Sequence, residues 1–269
     1  MADALFTAIQ MSVLPLIEHK TAKPCLRFTF EKGACDRNTS KIGGIPYFPV
    51  GAEYPLSSMG TPLYFFLQLN FAEMPPLAAF PKKGILQFFI NNDMFLGMNL
   101  VDMVTQDDFR IVYYAEDDLP QETPEMPAAD PSLPIHGEAK ICFKEDMSVL
   151  HPSDFSFDML CREICEGMFS PAQVDQACEM TASLAEREFD GSGNRIGSHP
   201  FFRDLDPRAQ WADLYADKQV SLLQIDTADQ NSEAYGITLD GYRTMNFLIS
   251  EEDLKNLDFS NVLYSWMTI

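Results

Sequence analysis

A motif written twice constrains this chain more than any other feature of its sequence. Lys41-Ile42-Gly43-Gly44-Ile45-Pro46-Tyr47-Phe48 returns 154 residues later as Arg195-Ile196-Gly197-Ser198-His199-Pro200-Phe201-Phe202. Leu67-Gln68-Leu69-Asn70 returns as Leu223-Gln224-Ile225-Asp226 at an offset of 156, and Gln87-Phe88-Phe89-Ile90 as Asn246-Phe247-Leu248-Ile249 at 159. Three matches in one order, with so little drift, point to an internal duplication. Two copies are too few for a solenoid. A pair of pseudo-repeated β units sharing one core is the expectation.

Local pattern fills in the elements. Leu5, Ile9, Val13, Leu16 and Ile17 recur at helical spacing, which predicts a short amphipathic helix or helix-turn interrupted at Pro15. Residues 25–32 alternate as a strand with Leu26, Phe28 and Phe30 on one face. Between residues 38 and 62 the density of Gly and Pro predicts an ordered, irregular connection. Residues 63–70 and 84–91 read as strands covered on both faces, and 109–115 as a third. Residues 116–131 carry six acids, no bases and four prolines, so an exposed loop that buries little is expected there.

A short strand is expected over 139–144, then helices from about Asp154 to Met168 and from Ser170 to about Glu188. In the second, Ser170 would cap, Pro171 would take the first helical position and Gln173 the capping-box site. Ser250 should cap a helix over 251–256, and 259–266 should close the chain as a docked strand. The organisation expected is one compact domain over 1–269, with β-rich units at 25–115 and 195–269, an acidic Pro-rich loop at 116–138 and a helical pair at 154–189. The fold class is α+β, predominantly antiparallel β, with two pseudo-repeated β units and a central helical pair.

Charge bounds the partners. Nineteen Lys and Arg stand against 40 Asp and Glu, a formal charge of -21. Such a field repels phosphate backbones, so no nucleic acid is expected, and it attracts a basic protein or a cation. No stretch reaches membrane-spanning length, so no membrane association is expected. The first twenty residues lack the pattern of a secretory signal. The six cysteines therefore read as reduced thiols of a cytoplasmic protein, with Cys161, Cys165 and Cys178 on apolar helix faces.

The repeated motifs carry a resemblance. The Ile-Gly-Gly-x-Pro segment at 42–46, the Leu-Gln-Leu-Asn strand at 67–70 and the Gly-Ile-Leu-Gln-Phe-Phe-Ile strand at 84–90 resemble the YwqG family of uncharacterised bacterial proteins. So do Ile-Gly-x-x-Pro-Phe-Phe at 196–202, Leu-Leu-Gln-Ile-Asp at 222–226 and Asn-Phe-Leu-Ile at 246–249 with the Asp-Leu-x-x-Leu-Asp-Phe-Ser that follows. The resemblance covers residues 25–269. It implies an α+β protein built mostly of sheet with no established activity. It also implies a toxin-immunity-like or partner-binding role, through association with toxin and immunity loci rather than through chemistry.

Catalytic motifs are missing. No Gly-x-Ser-x-Gly elbow, CxxC or HExxH occurs. Cys161 and Cys165 lie one helical turn apart with His151 ten residues upstream, but zinc sites use closer spacing and a second pair, so neither metal nor cofactor is expected. Gly191-Ser192-Gly193-Asn194-Arg195 follows a helix, unlike a phosphate loop, and reads as a helix stop and turn. His199 is the one histidine within a repeat motif; paired with Asp204 or Asp206 it would serve as acid or base, against the simpler reading of a loop position.

The remaining candidates are the polar residues inside apolar strands: Gln68, Asn70, Gln87, Gln224, Asp226 and Asn246. Either they satisfy the irregular Gly-Pro loops, the favoured reading, or they converge with Lys41 and Arg195 on a cleft between the copies. Two functions follow, beside a third reading as a structural or oligomeric component with no soluble ligand. One is an acidic binding protein that engages a basic partner; the other is an enzyme or small-molecule binder with a pocket at the seam, using His199, Arg195, Lys41 and Asp226. The sequence leaves oligomeric state open.

Overall fold

The computed structural model describes residues 2–239, 241 and 243–266. Its strands are β1 (Lys23–Glu31), β2 (Lys41–Ile42), β3 (Tyr64–Asn70), β4 (Ile85–Ile90), β5 (Phe109–Tyr114), β6 (Ala139–Ser148), β7 (Arg195–Ile196), β8 (Val220–Asp226), β9 (Thr244–Ile249) and β10 (Leu263–Ser265). They form one ten-stranded antiparallel sheet in the order β10-β9-β8-β7-β1-β6-β2-β3-β4-β5. The class is therefore α+β.

That order reads the same from either edge towards the middle. The central pair is β1 with β6, in register from Lys23 opposite Ser148 to Glu31 opposite Lys140. On one flank β6 is followed by β2-β3-β4-β5; on the other β1 is followed by β7-β8-β9-β10. Each leading strand thus lies beside the later strands of the other half. The irregularities match as well: the register slips once at Phe65/Leu67 in β3 and once at Ser221/Leu223 in β8. A bulge adds local twist, and two at corresponding places curl both flanks.

Curling brings the flanks together. The Phe88 and Phe247 rings meet across the flanks at 4.9 Å and Phe109 and Tyr264 at 5.1 Å, while Phe247 stacks on Tyr264 of its own flank at 4.3 Å. These rings sit in the main core with Leu26, Phe28 and Phe30. Each such aromatic contributes about 2–3 kcal/mol through burial. Strands β3, β4, β8 and β9 are buried almost throughout, which is why their sequences run apolar instead of alternating.

A second core lies beside the sheet. Its N-terminal part is one helical run: α1 (Ala2–Ala8), a π-helical turn (Ile9–Val13) and α2 (Leu14–Thr21). The expected interruption at Pro15 does not occur. The wider turn upstream relieves the crowding that a proline ring imposes on the carbonyl four residues back. Ile9, Val13 and Ile17 pack there against α3 (Phe157–Met168) and α4 (Val174–Glu188).

Other expectations shift. Helix α4 begins at Val174, because Pro171 to Gln173 form a turn in which the Ser170 hydroxyl donates to the Gln173 side chain at 2.6 Å instead of capping. The strand expected over 139–144 is ten residues long and central; its second half is polar because one face of it is open. The acidic loop buries more than its composition suggests, since Leu133 and Pro134 are covered and Gln121 bridges to Pro49. Helices α5 (Pro207–Gln210), α6 (Ala212–Tyr215) and α7 (Gln230–Ala234) were too short for periodicity to show. Helix α8 (Glu251–Asn256) has the expected start, with Ser250 accepting from the Asp253 amide. Tyr264 and Trp266 are buried, so the described end of the chain is docked.

Candidate functional site

The amides inside the strands make two networks of the same design. Gln68 accepts from the Tyr47 amide at 2.9 Å and donates to the carbonyls of Arg37 and Thr39 at 2.7 and 2.8 Å. Gln224 accepts from the Phe201 amide at 3.1 Å and donates to the carbonyls of Gly191 and Gly193, both at 2.9 Å. On the neighbouring strand Gln87 donates to the Tyr47 carbonyl at 2.7 Å, and Asn246 to the Phe201 carbonyl at 3.0 Å. One side chain thus holds both sides of a loop that no ladder reaches, which answers the requirement that buried backbone groups be paired.

Asn70 and Asp226 share a position but not a chemistry. Asn70 donates to the Asn38 carbonyl at 3.0 Å and accepts from the Ala72 amide. Asp226 accepts from the Ala228 and Gly193 amides and takes a two-pronged ion pair from Arg203, both contacts at 2.8 Å. Lys41, almost wholly buried, reaches the Asp36 carbonyl and the Glu138 carboxylate at 3.0 Å. Arg195, equally buried, donates to the carbonyls of Ser192 and Asp190, both at 2.8 Å.

The nine candidates therefore do not gather at one place. Lys41, Gln68, Asn70 and Gln87 belong to one flank; Arg195, Gln224, Asp226 and Asn246 to the other. His199 lies in the β7–β10 flank but outside its amide network. Its Nε2–H donates to the Thr21 carbonyl at 2.8 Å, tying the β7 loop to the end of α2. Burial first, and the Lys23 charge next, push its pKa down to about 4. Asp206, weighed as its partner, is instead bound to Arg208.

Of the nine, only Arg195 reaches the cleft at the middle of the sheet. That cleft, about 500 Å³, is bounded by Gln10, Leu14, Pro15 and Glu18 of the N-terminal helical run, Arg27 of β1, Asp146 of β6, the α4 end at Glu188, and Asp190. Its floor is a square of charge. Arg27 meets Asp146 at 3.1 Å and Asp190 at 2.6 Å; Arg195 meets the same carboxylates at 3.3 and 3.4 Å. Burial raises the Asp146 carboxyl, but the Met147 amide and both arginines outweigh it and hold the group below its usual range. Asp190 is lowered in the same way, against burial, by Ser192 and Arg27.

Four acidic residues, Glu18, Asp146, Glu188 and Asp190, line the cleft with two arginines, so acids outnumber bases there. Arg27, Asp146 and Glu18 lie outside the repeated motifs. They escape a motif search; the pairing of β1 with β6 brings Arg27 to Asp146, and the helical run leading into β1 brings Glu18 to the same cleft.

Among the described residues no helix is long and apolar enough to cross a membrane. Three thiols, Cys161, Cys165 and Cys178, come together between α3 and α4. No curated relative matches the sequence. A model for a domain of unknown function (DUF1963) matches residues 40–267, from the start of the first repeated motif almost to the end of the chain, and the protein belongs to that family.

Proposed function

We propose that this protein is a binding protein whose central cleft accepts a basic segment of a protein partner, a role compatible with toxin immunity. The observation that carries the reading is the cleft floor. Its two arginines are already committed to Asp146 and Asp190, so the exposed Glu18 and Glu188 at the rim remain uncompensated. The net charge of -21 adds long-range attraction for a basic partner. We further read the two flanks as diverged copies of one unit whose leading strands are exchanged, with the helical pair inserted between them in the chain. The matching bulges and amide networks support this. On that reading the cleft is the seam of the copies, and the resemblance to the YwqG family fits a duplicated β scaffold used for binding.

The test is titration with a lysine-rich peptide at low and high salt, repeated on the E18Q/E188Q variant. Both residues are exposed, so the fold should be unchanged. Affinity is expected to fall with salt and to fall about tenfold in the variant, which corresponds to about 1.4 kcal/mol. Equal affinity in both proteins would remove the cleft from consideration. Salt-insensitive capture of a small metabolite would favour the alternative, a small-molecule pocket at the seam.

A further inference from the structure

We infer that Cys161, Cys165 and Cys178 form a binding site for a soft monovalent d10 metal ion, with Cu(I) as the fitting chemistry. Cys161 and Cys165 lie one turn apart on α3 and Cys178 faces them from α4, with all three Sγ atoms within 4.8 Å of one another. The first two are buried and Cys178 is half-buried, so the third thiol is the way in.

A second observation points to the same spot. The Thr181 hydroxyl is fully buried and faces the Cys165 thiol, where a hydrogen bond from it favours the thiolate. A neutral thiol is a weak acceptor for a buried hydroxyl, whereas a metal-bound thiolate accepts its hydrogen bond strongly.

The donor set selects the ion. Soft thiolates favour Cu(I) over hard cations. Structural zinc is almost always held by four protein ligands, and no carboxylate or imidazole joins the three thiols among the described residues. A trigonal ion with metal–sulfur bonds of about 2.3 Å needs sulfurs about 4 Å apart, so the thiols close in by less than about 1 Å. Binding forms three copper–sulfur bonds and releases three protons to water, with no change in oxidation state. Arg162 screens part of the resulting excess negative charge, since it feels the charge of Cys178 while keeping its ion pair with Asp175 at 2.9 Å. Affinity must therefore fall steeply as pH is lowered.

The experiment is titration of the fully reduced whole chain with Cu(I), without oxygen, against a Cu(I)-selective chelator. Alkylation and peptide mapping then identify the protected thiols. One ion per chain should bind and protect Cys161, Cys165 and Cys178, leaving Cys25, Cys35 and Cys142 as they were. C165S and C178S should each weaken binding by at least about 10–100-fold, the loss that even an outer partner of a metal site causes. T181V should fold at least as stably as the parent and bind copper more weakly, and C35S should bind as the parent does. Protection of other cysteines, binding by C178S or T181V as tight as the parent's, or displacement of the copper by equimolar zinc would overturn the assignment. The mapping uses the unaltered protein, so the inference can fail even if a cysteine variant does not fold.

Discussion

In the β2–β5 flank, the loop after the glycine pair runs from Tyr47 to Pro62 without a helix, held by the Gln68 and Gln87 amides, by Tyr54 donating to the Leu63 carbonyl and by the bridge to Gln121. In the β7–β10 flank, the corresponding stretch folds into α5 and α6 around one buried cation. Arg208 pairs with Asp154 at 2.8 Å and Asp206 at 2.6 Å, donates to the Lys218 carbonyl, and lies over the Phe155 and Phe202 rings. The amide network is common to both flanks and the clamp belongs to one. What recurs is the part that satisfies backbone; what differs is how each loop is anchored to the rest of the chain.

The largest expected effect breaks that symmetry at the clamp. R208M leaves Asp154 and Asp206 buried without their cation, which should cost about 3–5 kcal/mol. K41M, in the other flank, should cost only about 1–3 kcal/mol, because its partner Glu138 is part-exposed and water can replace the lost amine. Denaturant unfolding measures both; equal losses would mean that the flanks are anchored alike. Next in size, Q68L and Q224L each strand two carbonyls and one backbone amide, a loss of about 2–4 kcal/mol, and Q68L also gives up a 3.1 Å bond from the Gln87 side chain, which keeps its bond to the Tyr47 carbonyl. If the networks are equivalent the two values agree within about 1 kcal/mol, and a wide gap would break the comparison where it is closest.

The sequence shows the recurring part because buried strands cannot hide a polar residue. Gln68 and Gln224 stand out in apolar runs, and their reading as loop supports matches the hydrogen bonds they make. The cleft was not legible in the same way. Arg27, Asp146 and Asp190 are unremarkable charges scattered over 163 residues, and the contact of Arg27 with Asp190 exists only because β1 pairs with β7. The clamp was hidden likewise, since α5 and α6 are single turns too short for periodicity, and nothing local in the sequence ties Arg208 to Asp154, 54 residues away. Tertiary placement decided each of these, and one-dimensional patterns do not carry it.

Glycines sharpen the comparison further. Gly43 and Gly197 hold the same place in the motif and both have positive φ, so an alanine costs about 1–2 kcal/mol at either. Their surroundings differ. A Cβ on Gly43 would lie 2.0 Å from the Gly137 carbonyl oxygen, which belongs to the backbone of the acidic loop; one on Gly197 would meet the end of the Leu77 side chain at 2.9 Å. G43A should therefore lose about 1 kcal/mol more than G197A in thermal or denaturant unfolding, the cost of shifting backbone over moving a side-chain tip. The reverse order would mean that the acidic loop yields more readily than Leu77.

The last expected effect depends on pH and on one flank only. Where the first motif has Ile45 the second has His199, whose folded pKa of about 4 lies below the unfolded value of about 6.5. Between those values the unfolded chain takes up a proton that the folded chain refuses. Stability therefore falls as pH drops from about 6.5 to about 4, and this contribution levels off below that. From pH 7 to pH 5 the loss from this residue amounts to about 2 kcal/mol. His151, also lowered by burial, adds to it in the same direction. The carboxylates of the cleft act at lower pH, because Asp146 and Asp190 titrate below the usual range and lose their contribution only there. H199Q keeps a side-chain donor for the Thr21 carbonyl and cannot titrate. Its unfolding free energy should fall less between pH 7 and pH 5 than that of the parent, and an unchanged pH dependence would show that the imidazole takes up its proton as readily in the folded chain as in the unfolded one.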